Sequence, residues 1–214
     1  MIATEDLIRN LSADLKPSRP GMASLRLLSC VVGGAVVALA GITLVLGSPL
    51  GAVGYTGIPA FTMKLAFAAA MTAASGILLL AAGRPGQQIG FHLTWLLLPL
   101  FVVAAAAVME LAITAPQLRE QAWLGTTWLT CILAIVGFSL PVLGGVVWAF
   151  RRLAPTRLRL TGFLAGITSG SAAALVYALY CPETTATFLA SWYTAGIVAA
   201  GLIGLLAGPR LLRW

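Results

Sequence analysis

Three cysteines, Cys30, Cys131 and Cys181, carry the most distinctive chemistry in this chain, and Glu183 follows Cys181 with only Pro182 between them. Thiols oxidise to sulfenic acids or disulfides, or bind soft metal ions as thiolates, and a neighbouring carboxylate adds an oxygen ligand. Glu110 and the single histidine, His92, are further ionisable groups set in or beside apolar runs. They lie about eighteen residues apart, roughly 27 Å along one helix, so they cannot share a site. Each of them, and Glu183 likewise, reads more simply as a polar group reaching out to an interface than as part of a relay. No Ser/His/Asp set can be assembled around one histidine, and there is no C-x-x-C pair, His-rich cluster or phosphate-binding glycine loop. Neither an enzyme nor a resident cofactor is expected.

The elements that must hold these residues follow from composition. Of 214 residues, 60% are apolar and 9% charged, against about 25% charged in an average soluble domain. Too little polar material remains to cover a water-soluble fold. The formal charge of +7 sits in short clusters between apolar runs, which argues for membrane topology and against direct nucleic-acid binding. Crossing roughly 30 Å of hydrocarbon takes about 20 apolar residues. Six such runs occur, near 27–46, 61–82, 93–113, 127–150, 160–180 and 188–207, with Gly and Pro at the joints. The predicted fold is therefore all-α, a polytopic membrane bundle of six transmembrane helices in residues 26–214, preceded by a polar segment of residues 1–25. That segment is too long and too acidic for the basic start of a signal peptide. Leu27-Leu28-Ser29-Cys30 precedes rather than follows its apolar run, so Cys30 is expected to carry no lipid. The runs are rich in small residues, such as Gly33 and Gly34 or Gly201 and Gly204. Packing within the chain is the expected use of these, with dimer contacts as the alternative.

Orientation follows from the basic residues, because cytoplasmic loops hold the excess of Lys and Arg. Arg9, Lys16, Arg19, Arg26, Arg84, Arg151, Arg152, Arg157, Arg159, Arg210 and Arg213 fall on one side, and only Lys64 and Arg119 on the other. Both termini are then cytoplasmic in a bacterial inner membrane. Cys30 lies at the reducing side, where packing is its expected role, whereas Cys131 and Cys181 share the outer face, where oxidation is permitted. They are either a working thiol pair or two unrelated buried cysteines. Bridging needs Cα atoms within about 7 Å, and hydropathy does not say which helices are neighbours.

Residues 1–25 carry a second pattern. Thr4 caps a helix whose first turn holds Glu5 and Asp6, and Leu7, Ile8, Leu11 and Leu15 form one apolar stripe, closed by Lys16-Pro17. A helix of about twelve residues is marginal alone in water, so the stripe needs a cover. The cover is either the lipid surface or the groove of a protein partner. Glu5, Asp6 and Asp14 against Arg9 and Lys16 make a near-neutral helix, unlike the basic helices that lie on membranes, and favour a protein.

The start from Thr4 to Pro17, the six spans, and the late block Cys181-Pro182-Glu183 followed by Phe188 and Trp192-Tyr193 resemble the NrsF-like bacterial membrane anti-sigma factors over essentially the whole chain. The resemblance implies that residues 1–25 bind an extracytoplasmic-function sigma factor, through Leu7, Ile8, Leu11 and Leu15, and hold it inactive until stress is sensed. It also implies that Cys131 and Cys181 are the sensor thiols, responding to oxidants or to a transiently bound thiophilic metal, with Glu183 and Glu110 as auxiliary candidates and Pro182, Trp192 and Tyr193 as motif residues. The implied partners are the sigma factor and membrane lipid. The runner-up reading is a small secondary transporter or another polytopic membrane protein. It predicts intramembrane charges and an internal repeat, and both signals are weak.

Overall fold

In an apolar medium each backbone N–H and C=O must find its partner within the chain, which leaves helix as the form for an apolar run of about 20 residues. The computed structural model describes residues 21–47, 51–83, 90–151, 153, 155 and 157–213, and among them every regular element is helical. Helix α1 spans Met22–Leu46, α2 Gly51–Ala82 and α3 Gly90–Ile113. A 3-10 turn at Pro116–Leu118 leads into the short α4, Arg119–Leu124. Then come α5, Trp128–Arg151, α6, Leu158–Tyr177, and α7, Ala186–Leu211. All but α4 are long and apolar enough to cross a membrane, which makes this a multi-pass membrane protein. The expected six spans are present. The first begins at Met22 rather than Leu27, because the polar Ser24 and Arg26 join its opening turn. The stripe residues Leu7, Ile8, Leu11 and Leu15 lie outside the described residues, as does the His92 side chain.

Helix α6 is the axis of the bundle, with fifteen of its twenty residues buried. A helix surrounded by protein needs small residues rather than a lipid-facing apolar surface. Three of its hydroxyls bond to its own carbonyls: Thr168 donates to Leu164 O at 2.8 Å, Ser169 to Ala165 O at 2.7 Å and Ser171 to Ile167 O at 2.8 Å, whereas the buried Thr161 hydroxyl has no partner among the described residues. Helices α2, α5 and α7 pack against α6 most extensively, while α3 leans on α2 and on the start of α7. Helices α1 and α3 present large apolar side chains outward, including Leu44, Phe101 and Ile113, as spans facing lipid must.

Glycine sets the closest approach. A Cβ on Gly166 would collide with the carbonyl of Ala200 and lie 2.8 Å from Gly201 Cα, and one on Gly208 would lie 2.6 Å from Leu158 O. The α6–α7 seam is therefore backbone against backbone. Gly201 and Gly204 both face α6, so packing within the chain is their use. Helix α1 rests on α5 in the same way: a Cβ on Gly34 would lie 2.6 Å from Val142 Cα, and Gly145 faces Cys30. Gly33 meets nothing within 4 Å. The helix that continues from the polar N-terminal segment is thus seated on the helix that carries Cys131.

Candidate functional site

Alternating crossings bring the start of α2, the end of α3, the start of α5, the end of α6 and the start of α7 to one end of the bundle, and Lys64, Glu110 and Glu183 gather there. Cys131 lies in the first turn of α5, its amide donating to Thr127 O at 2.8 Å. Cys181 follows the last turn of α6, its amide donating to Tyr177 O at 3.1 Å. Both thiols are free and fully buried at this end of the bundle. Burial pushes the Cys181 thiol above its ordinary value, against the pull of the Tyr193 hydroxyl and of Lys64, so at neutral pH it is held as the neutral thiol. Cys30 is also free, but lies toward the opposite end of the bundle, packed on Gly145.

The turn Cys181-Pro182-Glu183 is fastened from two sides. From α2, the Lys64 ammonium donates to Cys181 O at 2.6 Å and to Glu183 O at 2.9 Å, although only 3% of this lysine is exposed. The Glu183 side chain reaches the start of α5, where Oε1 accepts from Thr126 N at 2.7 Å, Thr126 Oγ1 at 2.8 Å, Thr127 N at 3.2 Å and Thr127 Oγ1 at 3.1 Å. A carboxylate there occupies the place of an N-cap, supplied from another element, and suits the positive end of the helix dipole. Gly125 makes room for it. Its φ of 56° is left-handed, and a Cβ would lie 2.7 Å from the Glu183 carboxyl carbon.

Glu110 does the same for α7. Its Oε2 accepts from Thr187 N and Thr187 Oγ1, both at 2.8 Å, tying the peripheral α3 to the helix that covers the thiols. Thr185 also caps this start, accepting from Phe188 N at 3.3 Å. Neither Glu110 nor Glu183 simply reaches out to an interface, as the apolar runs suggested. Each closes a helix start that would otherwise leave amide donors unpaired.

Helix α7 then makes one π turn over Leu189–Tyr193, a local widening common at functional positions. Its last two residues are the paired aromatics of the sequence motif. The Trp192 ring lies 5.0 Å from that of Trp128 and 5.6 Å from that of Trp123, and its indole N–H donates to Trp123 O at 2.7 Å. Tyr193 turns inward beside Tyr177, ring centroids 5.9 Å apart, and its buried hydroxyl has the Cys181 thiol beside it but no well-formed hydrogen bond among the described residues.

The structure thus brings together Cys131, Cys181, Glu183 and Tyr193 of the expected residues, with Glu110 and Trp192 holding the surrounding helix starts. Pro182 is exposed at the tip of the turn. Lys64 was missed, having been read only as a minority basic residue of its side. The signal that would have found it is a charge three residues inside an apolar run. Among the described residues no three His, Cys, Asp or Glu side chains converge on a metal position. Two buried free thiols remain, and thiols as a class form disulfides or bind soft ions.

The family model described as NrsF, negative regulator of sigma F, matches residues 11–214. A protein of Azospira oryzae named probable anti-sigma-F factor NrsF is 35% identical over 215 positions, covering 99% of this chain and 99% of that protein. A protein of Caulobacter vibrioides named anti-sigma-F factor NrsF is 43% identical over 135 positions, 62% of this chain and 60% of that protein. No solved structure matches.

Proposed function

Since the chain belongs to the NrsF family of negative regulators of sigma F, we propose that it is a membrane-held anti-sigma factor whose outer-face thiols, Cys131 and Cys181, release an extracytoplasmic-function sigma factor under oxidant or heavy-metal stress. The membrane is the bacterial inner membrane, with both termini cytoplasmic. The uneven basic residues support this orientation: Arg26, Arg151, Arg157, Arg159, Arg210 and Arg213 belong to the end opposite the thiols. The sigma factor is bound by residues 1–25, with Leu7, Ile8, Leu11 and Leu15 against an apolar surface that RNA polymerase also uses.

The observation that carries the sensor half is the joint burial of Cys131 and Cys181, from different helices, beneath one fastened turn. Oxidation removes two protons and two electrons from the pair, which pass to the oxidant, and joins the sulfurs. A thiophilic ion instead displaces the protons and is held by two thiolates. Either event draws the starts of α5 and the 181–183 turn together. Helix α1 rides on α5 through Gly34 and Gly145, so displacement of α5 has a direct mechanical route to the sigma-binding segment.

Replacing Cys131 or Cys181 with Ser is expected to remove most of the induction of sigma-dependent genes by cadmium or chromate, with repression in unstressed cells retained. A normal response from both variants rejects the thiol sensor. The binding half is tested by Leu11→Asp. An unpaired carboxylate pressed into an apolar groove costs about 3 kcal/mol, about a hundredfold in affinity, so the sigma factor should no longer co-purify in detergent. Undiminished retention would place the stripe on lipid instead.

A further inference from the structure

A lysine is almost never fully buried unless its charge is matched, and an ammonium near a membrane interface ordinarily extends to water. Lys64 does neither. It is 3% exposed, and among the described residues it donates to two main-chain carbonyls, those of Cys181 and Glu183 on either side of Pro182. Pro182 has no N–H to help close the turn. The carbonyls after the end of α6 also need donors and a positive neighbour. The ammonium supplies both from α2, across the sequence from the turn it fastens. The Glu183 carboxylate holds the other side of the same turn on α5. Cys181 sits between these two fastenings, fully buried, with Lys64 within electrostatic reach of both sulfurs.

We propose that Lys64 is a positioning residue that keeps the Cys181 thiol closed in within the fastened turn, so that α2 sets how readily this thiol reacts. The inference rests on Cys131 and Cys181 being the reactive thiols, but its test needs neither a sigma factor nor a target gene. While Lys64 grips both carbonyls the turn stays shut and reagents reach Cys181 only through rare openings. Without the grip, one buried and one half-buried carbonyl lose their donor and the turn opens more often. The Glu183 carboxylate and the Cys181 amide bond to Tyr177 O then hold it without any fastening from α2.

The test is timed alkylation of the full chain in membrane vesicles with N-ethylmaleimide, followed residue by residue by mass spectrometry. The sulfur adds across the maleimide double bond and the adjacent carbon takes up a proton, so no electrons change hands. Cys30, toward the opposite end of the bundle, is the internal reference. Lys64→Met should raise the Cys181-to-Cys30 rate ratio at least about tenfold, the response of a locally opening turn to losing two charge-assisted hydrogen bonds. Lys64→Arg, whose guanidinium can donate to both carbonyls, should stay within about threefold of the parent. An unchanged ratio in Lys64→Met overturns the proposal, as does an Arg variant as reactive as the Met variant. Should Lys64→Met fail to accumulate, Lys64→Gln is expected to give an intermediate ratio, and a parental ratio there overturns it equally. Normal gene induction in the Cys→Ser variants would defeat the sensor reading while leaving this ratio intact, so the two failures are distinguishable.

Discussion

Gly166→Ala is expected to lower the stability of the folded bundle in detergent by about 3 kcal/mol or more, above the usual range for an added methyl in a packed core. The reason is what the methyl meets. Opposite Gly166 lie the Ala200 carbonyl and Gly201 Cα, which are backbone atoms of a regular helix and cannot rotate aside as a side chain would. To admit the methyl, α7 must move away from α6 along the seam shared by Gly162, Gly204 and Gly208. That separation sacrifices dispersion contacts over several turns, and in a bilayer close packing supplies much of the association between helices. The control is Gly144→Ala. Nothing lies within 4 Å of a Cβ there, so the change should stay within about 1 kcal/mol of neutral. Thermal unfolding of both variants in one detergent checks the pair, and equal midpoints would show that the seam is not as tight as described.

The second large effect is expected at Glu183. Its Oε1 serves two amides and two hydroxyls at the start of α5. Hydrogen bonds to a charged acceptor contribute about 1.5–3 kcal/mol each in favourable cases. These four share one oxygen near the surface and are not additive, so Glu183→Ala should cost about 2–4 kcal/mol. Glu183→Gln keeps an acceptor oxygen in place but removes the charge facing the helix dipole, and should lose about half as much. The two variants separate capping from mere occupancy of space. If Gln and Ala are equally destabilised, the negative charge is the whole contribution; if Gln is neutral, geometry alone suffices. Because Gly125 is shaped around this carboxylate, Gly125→Ala should mimic the loss with Glu183 still present.

Much of the fold was legible in the residue order. The apolar runs that became α1, α2, α3, α5, α6 and α7 could be read directly, because the requirement that a span cover the hydrocarbon acts on each run separately. The presence of Cys131 and Cys181 at one end followed as well, since alternate crossings must reverse direction. The helix starts that Glu110 and Glu183 close were not legible. In sequence each is a charge at the edge of an apolar run, and the helix start it closes belongs to a segment 77 or 57 residues away. The π turn at Leu189–Tyr193 gave no recognisable signal either, since an extra residue in one helical turn leaves composition unchanged.

What the order of residues determined by itself was therefore a set of independent decisions: how many times the chain crosses, where, and which polar groups share a depth. Hydropathy and charge act locally, so each can be read along one dimension. Only the tertiary structure decided which groups at that depth touch: that Lys64 of α2 grips the carbonyls around Pro182, that the Glu183 carboxylate closes the start of α5, and that α1 is seated on α5. Those outcomes depend on lateral packing, chosen jointly by glycines on facing helices, and no single run of sequence contains both sides of such a contact.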